Sequence, residues 1–524
     1  MGVVGNLIIL LAASLFVCLF LALTRFLHKV WWTPIQIQHK MKSQGIKGPS
    51  YKFLHGNTKE IFNMRKESMS KPMNNLSHNI LPRILPHVFQ WVNIYGKNFL
   101  NWYGHQAQLV VTEAELIKDI LNNKDDTYPK IDVEGHAKKL LGDGLSSSKG
   151  KKWAKLRKLA NHAFHAENLK SMFPAMVTSV EVMLERWKQY EGKEMEVFEE
   201  FRLLTSEVIS KTAFGSSYQE GKNIFEMLMK LTLIVSRNVH KIRFPGISQI
   251  FRSADDKESE TIEKGIRDCI VEIIKKREKL KIGEIERCES DFLGKLLEAN
   301  HDKDKNKWIS IEDMVDECKT FYFAGHETTT ALLSWTVLLL AIHTDWQDKA
   351  RREVLDLFGQ NNPNSDGIAR LKIVSLTILI VAMNMIIEES LRLYPPVPFI
   401  KRKVDKEVQL GKLILPRQME LYISPLALHH DPLIWGEDVH LFKPERFAGR
   451  VAKATNNTSA AFLPFGFGPR TCVGLNFAVI EAKIALSMIL QRYMLTLSSA
   501  YVHSPIQIFM VRPQHGLQII IHEI

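Results

Sequence analysis

Residues 465–474 read FGFGPRTCVG, and the interpretation of the whole chain depends on this stretch. One cysteine, Cys472, stands between glycines just before a segment with helical apolar periodicity, Phe477 to Leu490. A thiolate there would receive backbone N–H bonds and the positive end of a helix dipole. Gly474 removes a side chain where a flat group would have to approach, and Arg470 suits a carboxylate partner.

These are the features needed to hold haem iron by a thiolate and to pair a haem propionate. For a lone cysteine, a buried thiol in a glycine-rich turn would be the simpler interpretation. The stretch, however, resembles the cysteine loop of the cytochrome P-450 superfamily, Phe-x-x-Gly-x-Arg-x-Cys-x-Gly, at every defined position. The resemblance makes Cys472 the axial ligand of the haem iron and places Phe465, Gly468, Arg470 and Gly474 at the cofactor.

Composition excludes several other classes of protein. With 45% hydrophobic and 24% charged residues, the 524-residue chain is globular, and no linker divides it into several domains. Its five cysteines are widely spaced, which indicates a reducing compartment and neither a disulfide framework nor a zinc site. The net charge of +12 is dispersed and no nucleic-acid motif accompanies it, so we expect a membrane surface and an acidic redox partner, and no nucleic acid.

The N-terminus is predicted to be a membrane anchor. Val3 to Leu23 is nearly continuous apolar sequence, and as a helix it would be about 31 Å long, enough to cross a bilayer core. A cleaved signal peptide is the alternative, but the apolar run is long, and neither a basic segment before it nor a cleavage site after it is present. Basic residues and Trp31-Trp32 follow the run, so the remainder should face the cytosol. The predicted organisation is an anchor at 3–24, a basic linker with a proline hinge at 25–50, and a catalytic domain at 51–524.

The rest of the chain is predicted to be mainly α with a small β portion. Thr112-x-x-Glu115 and Ser310-x-x-Asp313 have the pattern of capping boxes, and the second would open a long helix ending near Ile342. Apolar periodicity predicts further helices, and β-rich pieces predict strands. The helices are expected at 150–165, 168–190, 199–214, 223–238, 257–281 and 374–393, and the strands at 400–424, 493–498 and 517–522.

The long helix carries Ala324-Gly325-His326-Glu327-Thr328-Thr329, in which two small residues would open a groove beside a threonine hydroxyl and an acid. Oxygen activation needs a proton relay in a dry pocket, and Glu327 and Thr328 have the required chemistry. A helix bend with Thr328 bonded to its own backbone is the alternative. The string resembles the superfamily signature Ala/Gly-Gly-x-Asp/Glu-Thr-Thr, which implies the relay. His326 is a poor metal-ligand candidate.

Further motifs resemble the same superfamily. Glu389-x-x-Arg392 and Pro444-Glu445-Arg446-Phe447 resemble its Glu-x-x-Arg and Pro-Glu-Arg-Phe elements, which implies a buried three-way pairing of Glu389, Arg392 and Arg446 with a structural role. Trp153 and Arg157 resemble its Trp-x-x-x-Arg pair, which binds a haem propionate. Arg402 is a second propionate candidate.

The chain is thus identified as a member of the superfamily. Segments 45–51 and 316–322 resemble the plant microsomal clan that includes gibberellin-, brassinosteroid- and triterpenoid-modifying enzymes. The resemblance implies a cytochrome P-450 fold behind one transmembrane helix, haem b as cofactor, and a single-pass endoplasmic reticulum protein with its catalytic domain in the cytosol. It also implies insertion of one oxygen atom of O2 into a small lipophilic substrate of terpenoid, steroid or hormone type, with electrons from NADPH through NADPH-cytochrome P-450 reductase.

Two other functions stay open. A haem-thiolate isomerase or dehydratase would use the same cysteine loop without O2 or a reductase, and a membrane-anchored haem-binding protein would not be an enzyme. Neither needs Glu327 or Thr328. Substrate contacts are expected from the variable stretches 131–145, 225–250, 321–332, 396–400 and 503–508, which are mainly apolar.

Overall fold

The computed structural model describes residues 2–73, 75–123, 126–239, 252–281, 291–370 and 382–524. Within these ranges the protein is mainly helical with a small β portion, as the sequence predicts. The predicted helix over 374–393 lies partly outside the described residues, and so does the stretch 240–250. The α-helices are Gly2–Leu27, Thr33–Ser43, Thr58–Met69, Leu81–Ile84, Pro86–Tyr95, Ala114–Leu121, Gly135–Leu141, Gly150–Ala163, Ala166–Trp187, Val197–Phe214, Tyr218–Asn238, Ala254–Lys281, Phe292–Asn300, Ile311–Ile342, Thr344–Phe358, Ser365–Arg370, Ala382–Leu393, Pro425–His429, Pro432–Trp435, Arg450–Ala454 and Leu475–Arg492.

The strands form small sheets at the side of the helical body. The largest has the order β1-β2-β7-β4, in which β2 and β7 are parallel and the other neighbours antiparallel. A three-stranded antiparallel sheet has the order β3-β11-β8, and β5-β6 and β9-β10 are two-stranded. The strands are β1 Asn98–Tyr103, β2 Gln106–Val111, β3 Glu194–Glu196, β4 Ile400–Lys403, β5 Val408–Leu410, β6 Leu413–Leu415, β7 Glu420–Ile423, β8 Tyr493–Leu497, β9 Pro505–Ile508, β10 Met510–Pro513 and β11 Gln518–Glu523.

The helix Ile311–Ile342 runs through the core and is called here the central helix. It begins with the predicted capping box, in which the Ser310 and Asp313 side chains each accept a hydrogen bond from the other residue's backbone N–H. The helix Val197–Phe214 packs along it, so most of its side chains are buried whichever way they point. The capping role predicted for Thr112 is wrong, because that helix begins at Ala114 and the Thr112 hydroxyl donates to the Lys97 carbonyl at 2.7 Å.

The N-terminal helix leaves the body with its side chains exposed from Val4 onward. A run of helix from Val4 to Ser43 is long and apolar enough to cross a membrane, and it includes a π-helical turn at His28–Trp32. The end of this run contacts the rest of the protein: Lys40 pairs with Glu407, and Gln44, directly after the helix Thr33–Ser43, donates to the Ile414 carbonyl at 3.1 Å. The segment predicted as a linker is therefore mostly helical and fastened to the domain that follows.

A buried ion pair joins the helix Ala382–Leu393 to the loops after it. Arg392 donates to both carboxylate oxygens of Glu389 at 2.7 Å, and neither side chain is exposed. Its remaining N–H groups reach the carbonyls of His429 and Val439 at 3.0 and 2.7 Å. Arg446 completes the cluster, with Nε 3.5 Å from Glu389 Oε1 and with Nη2 donating to both the carbonyl and the carboxylate of Asp438.

This cluster is connected to the cysteine loop by hydrogen bonds. The carbonyl of His429 accepts from Arg392, and its ring Nε2 accepts from the backbone N–H of Leu463 at 2.8 Å. Burial and the nearby Arg392 charge lower the pKa of His429 to about 3, so the ring stays neutral and Nε2 stays an acceptor. The ion pair therefore fixes the backbone two residues before Phe465.

We predict that Arg392→Ala will lower stability by about 3–5 kcal/mol, because it leaves the buried Glu389 carboxylate without its partner. The measurement is the midpoint of thermal unfolding of the full chain in detergent, followed by tryptophan fluorescence. Arg267→Ala is the matched control, since Arg267 pairs with Glu312 on the surface and its side chain is 45% exposed. The control should leave the midpoint nearly unchanged, because exposed ion pairs contribute little to stability. Equal midpoints for the two variants would contradict a structural role for Arg392.

Candidate functional site

The cysteine loop is held in a tight, defined shape. The Cys472 N–H donates to the Phe465 carbonyl at 2.9 Å, which closes the loop. Gly468 has φ of +72°, and a Cβ there would lie 2.3 Å from the carbonyl oxygen of Leu121, so only glycine fits. Gly474 differs: a Cβ on it would meet only the Cys472 sulfur, at 4.0 Å. The space above Cys472 and Gly474 is therefore open on the side that a flat ligand would occupy.

The Cys472 thiol lies deep in the protein but is exposed, so it borders an internal cavity. Burial raises the pKa of this thiol, although the Gly474 N–H and the Arg157 charge act in the opposite direction. Because the net effect favours the neutral thiol, a cation at the sulfur is needed to hold it as a thiolate at neutral pH. A metal ion in the cavity fits this donor.

The central helix provides the opposite wall. Its side chains are buried along most of its length, but Ala324 is exposed and Thr328, one turn later, is partly exposed. The sequence predicts a groove at Gly325, but Ile209 occupies this space. A Cβ on Gly325 would lie 2.8 Å from the Ile209 side chain. The Thr328 hydroxyl donates to the Ala324 carbonyl at 2.8 Å. Such a bond to the helix backbone is the alternative that the sequence analysis gives for Thr328. The helix continues through this point without a break.

Aromatic contacts join the central helix to the helix that follows the cysteine loop. The ring of Phe164 stacks on Phe321 of the central helix at 5.3 Å and meets Phe477 edge-on at 5.6 Å. Phe321 lies one turn before Ala324, and Phe477 lies in the helix that begins after the cysteine loop. Phe164 therefore links the central helix near Ala324 to the helix that follows Cys472.

Three cations lie close together beside the cysteine loop. Arg470 stacks on the Trp153 ring at 4.3 Å and donates to the Ser148 carbonyl at 3.1 Å. Burial and the neighbouring Arg470 lower the pKa of Arg402 to about 10, and burial with both arginines lowers the pKa of Lys130 to about 7. The exposed Asp126 offsets the repulsion at the two arginines only in part. Such a cluster of cations fits a ligand with carboxylate groups.

The helix Gly150–Ala163 braces the cysteine loop. Arg157 donates to the Thr471 carbonyl at 2.5 Å and to Asn161 at 2.9 Å, while Trp153, one turn earlier, supports Arg470. The structure therefore places both residues of the predicted pair against the loop that carries Cys472. Trp153, Arg402 and Arg470 also line a cavity of about 390 Å³ that opens to the surface.

Glu327 points away from the exposed face of the central helix. Its carboxylate is buried, and its Oε1 lies 3.2 Å from His326 Nε2. Burial opposes ionisation, but His326, Arg512 and Arg202 outweigh it and lower the pKa of Glu327. The acid is therefore ionised, and it lies beside a histidine that the sequence analysis had set aside.

Sequence reasoning missed Lys130 and the pairing of His326 with Glu327. Nothing distinguishes Lys130 from the other lysines along the chain, because its neighbours Arg402 and Arg470 are remote in sequence. His326 could have been found, since it precedes a candidate proton donor directly. Because His326 was weighed only as a poor metal-ligand candidate, its contact with Glu327 was not predicted.

Comparison with known proteins agrees with this geometry. The sequence model of the family described as Cytochrome P450 matches residues 73–521. Cytochrome P450 CYP749A22 of Panax ginseng is 60% identical over 98% of this chain and 96% of the relative. Secologanin synthase 1 of Catharanthus roseus is 40% identical over 97% of each chain. Cytochrome P450 734A1 of Arabidopsis thaliana is 39% identical over 96% of this chain and 95% of the relative.

The fold has a solved counterpart as well. The structure titled "Retinoic acid bound cyanobacterial CYP120A1" superposes with a TM-score of 0.71, and the match covers 83% of this chain and 93% of that chain. The two sequences are 24% identical, so this likeness shows the fold alone. Together with the family match over most of the sequence and the plant relatives that span nearly all of it, this likeness shows that the chain belongs to the cytochrome P450 superfamily of haem-thiolate monooxygenases.

Proposed function

We propose that this protein inserts one oxygen atom of O2 into a C–H bond of a small lipophilic substrate of terpenoid, steroid or hormone type. The observation that carries the proposal is the Cys472 thiol, which is exposed although it lies deep in the protein, together with the exposed Ala324 and the partly exposed Thr328 of the central helix. The second oxygen atom leaves as water, and NADPH with one further proton supplies the two electrons and two protons consumed. Relatives named secologanin synthase support oxidation of a plant secondary metabolite.

Cys472 would ligate the iron of haem b, and Gly474 leaves room for the ring beside it. Arg470 and Arg402 would bind the propionates, with Lys130 as the third cation and Trp153 and Arg157 fixing the loop. When bound, the haem supplies the redox chemistry that activates O2, and the thiolate ligand increases electron density at the iron. Phe465 and Gly468 would act indirectly, by closing the loop that presents the cysteine.

Thr328 and Glu327 would deliver the protons that oxygen activation consumes. Thr328 presents its hydroxyl at the partly exposed part of the central helix, and Glu327 supplies an ionisable group directly before it. The Thr328 hydroxyl can accept a proton from one side and donate one to the other. Glu327 is buried, so protons would reach Thr328 through side chains and not directly from bulk water.

The substrate would lie against an aromatic surface at the far side of the cavity. Phe323 of the central helix meets Phe509 edge-on at 5.1 Å. Phe509 occupies the tip of the β9–β10 hairpin with φ of +63°, a conformation that is costly for an aromatic residue and is found at functional sites. Phe323 belongs to the stretch 321–332 that the sequence predicts to contact substrate, and Phe509 directly follows the predicted stretch 503–508.

The electron source would be NADPH-cytochrome P-450 reductase, and both proteins would be held at the endoplasmic reticulum membrane. The exposed N-terminal helix provides the anchor for this chain. Trp31 and Trp32 are exposed at 55% and 58% just after it, and Trp31 touches Phe53 of the domain at 5.9 Å. Aromatic side chains at this position suit the membrane interface.

One experiment separates the proposed activity from the two alternatives. Microsomes containing the full chain and the reductase are incubated with a panel of terpenoids and steroids, with and without NADPH and ¹⁸O2. Product carrying one ¹⁸O atom supports a monooxygenase. Product that forms without NADPH would indicate an isomerase or dehydratase, and haem spectral shifts without any product would indicate a binding protein.

We predict that Cys472→Ala will abolish the absorption band of the reduced carbon monoxide complex that is typical of thiolate ligation. The thiolate is the group that produces this band, and the alanine methyl cannot ligate iron. Cys269→Ala is the matched control, because Cys269 is a half-buried thiol on the helix Ala254–Lys281 and should leave the band unchanged. Survival of the band in the Cys472 variant would refute the assignment.

We predict that Thr328→Ala will continue to oxidise NADPH but lower the yield of product per NADPH by at least about tenfold, because proton delivery is lost. The missing electrons should appear as hydrogen peroxide, measured in the same reaction. Thr328→Ser keeps the hydroxyl and should restore most of the yield. An unchanged yield in the alanine variant would eliminate Thr328 from the relay.

We predict that the chain from residue 25 onward is cytosolic and carries no N-glycan. Its sequons begin at Asn75, Asn456 and Asn457, and all three asparagines are exposed with positive φ. Since the acceptor sites are accessible, absence of glycan reports the side of the membrane rather than burial. The test is endoglycosidase treatment of microsomal protein followed by electrophoresis.

The control adds a glycosylation acceptor peptide before Met1, which would lie in the lumen. That variant alone should shift in mobility on treatment. A shift of the unmodified chain that disappears with Asn75→Gln or Asn457→Gln would place the domain in the lumen and remove the reductase as the electron source.

A further inference from the structure

The β9–β10 hairpin carries Phe509 at its tip, and its base is the pair Pro505 and Pro513. At about 3.3 Å per residue, the chain from Pro505 to Phe509 spans about 13 Å. The hairpin forms a two-stranded sheet, and an isolated two-stranded hairpin is only marginally stable in water. Contacts outside the hairpin therefore determine where its tip lies.

Two hydrogen bonds hold the middle of the hairpin at Val511. Its backbone N–H donates to the Pro396 carbonyl at 3.0 Å, and its carbonyl accepts from the Trp335 ring Nε1 at 3.0 Å. Trp335 belongs to the central helix, and Pro396 lies shortly after the helix Ala382–Leu393. Val511 is therefore a fixed point, and a tilt of the hairpin about it moves the base and the tip in opposite directions.

The guanidinium of Arg83 holds the base of the hairpin. Its Nε donates to the Pro505 carbonyl at 2.8 Å. Its Nη2 donates to Ser504 Oγ at 2.6 Å and to Gln514 Oε1 at 3.2 Å. Ser504 lies directly before β9 and Gln514 directly after β10, and the Ser504 hydroxyl also donates to Gln514 at 2.8 Å. One arginine side chain thus joins the chain entering the hairpin to the chain leaving it.

The same side chain also reaches the N-terminal part of the protein. Nη1 of Arg83 donates to the carbonyl of Ser68 at 3.0 Å and to that of Lys71. The Ser68 hydroxyl in turn donates to the Arg83 carbonyl at 3.0 Å. Arg83 is buried, and in the part of the chain that the structure describes its acceptors are neutral oxygens. A buried cation without a counter-ion depends on such hydrogen bonds, so the position of its acceptors is tightly constrained.

Phe509 is the end of the hairpin that faces the central helix. Its ring is partly exposed and meets Phe323 edge-on at 5.1 Å. Phe323 directly precedes the exposed Ala324. A change in the tilt of the hairpin would therefore move an aromatic ring beside the residues that are proposed to contact substrate.

We propose that Arg83 fixes the position of the Phe509 ring against the central helix, and thereby which C–H bond of the substrate is oxidised. The inference rests on the proposed monooxygenase function and adds a residue that lies outside every stretch predicted to contact substrate. Arg83 is a positioning residue, because it acts through the hairpin and its hydrogen bonds go to the base and not to the tip.

Loss of the Arg83 contacts would loosen the hairpin without detaching it. The chain enters the hairpin through His503, whose ring Nδ1 lies 2.9 Å from the Tyr501 hydroxyl. The His503 ring Nε2 lies 3.1 Å from the Ser77 carbonyl. Because these contacts do not involve Arg83, the expected effect of its replacement is a displacement of Phe509 rather than loss of the fold.

The first test needs no turnover. The full chain with haem bound is titrated with N-alkylimidazoles whose chains run from methyl to decyl, which bind the iron through nitrogen and extend the chain into the substrate space. Arg83→Gln should change the affinity of the long-chain ligands relative to N-methylimidazole by about tenfold, because apolar pockets discriminate by shape to this extent. An unchanged ratio of affinities would overturn the proposal.

Arg351→Gln is the matched control. Arg351 also has a mostly buried side chain that donates to two backbone carbonyls, those of Leu490 and Tyr493, each at 3.2 Å. It lies where the helix Leu475–Arg492 passes into β8. The control should lower the midpoint of thermal unfolding and leave the ratio of affinities unchanged. The same change of ratio in both variants would mean general loosening of the protein and would count against Arg83.

Two further variants keep the test decisive. If Arg83→Gln does not retain haem, Ser504→Ala takes its place, because it removes a single acceptor of Arg83 and should change the ratio in the same direction to a smaller extent. Phe509→Leu should change the ratio by itself, and adding Arg83→Gln to it should have no further effect, since Arg83 acts through Phe509. Additive changes in the double variant would contradict the proposal.

The second test measures the products formed with reductase, NADPH and the best substrate from the panel of terpenoids and steroids. Arg83→Gln should change the ratio of isomeric products by about tenfold, whereas Arg351→Gln should keep the wild-type ratio. Unchanged product isomers would overturn the role of Arg83 in selecting the C–H bond. Absence of product from wild type with every substrate would instead count against the monooxygenase, and the imidazole series would still decide whether Arg83 positions Phe509.

Discussion

The buried ion pair of Glu389 and Arg392 is the constraint on which the rest of the structure depends. Both charges are fully buried, so each is tolerated only while the other stays in place. The remaining N–H groups of Arg392 fix the carbonyls of His429 and Val439, and the His429 ring receives the N–H of Leu463. A charge pair in one helix thereby determines where the cysteine loop begins.

The candidate site contains three cations and a thiol whose electrostatic interactions the protein satisfies only in part. Arg402, Arg470 and Lys130 repel one another at the side of the cavity, and the Cys472 thiol is driven by burial towards its neutral form. Carboxylates would satisfy the cations and a metal ion would satisfy the thiol. A haem carries both groups in one molecule, so its binding would satisfy the cations and the thiol together.

The central helix separates two environments. Ala324 and Thr328 line the cavity, whereas His326 and Glu327 lie among charged and aromatic groups from neighbouring helices. Because successive residues of a helix point in different directions, one short motif presents Ala324 and Thr328 on one side and buries His326 and Glu327 on the other.

The sequence alone was sufficient for the fold class, the family and the identity of the cysteine loop, because glycine, cysteine and arginine at fixed short spacing have few other uses. It also predicted the apolar anchor and the capping box at Ser310, which depend on neighbours along the chain. It was wrong about the cap at Thr112, where a contact with Lys97 from a neighbouring strand end takes the hydroxyl. Only the tertiary structure decided three other arrangements: Lys130 beside Arg402, Asp438 beside Arg446, and His326 against Glu327, whose pKa Arg512 helps to lower. The reason is that the electrostatics of a buried group depend on charges that lie close in space and far apart in sequence.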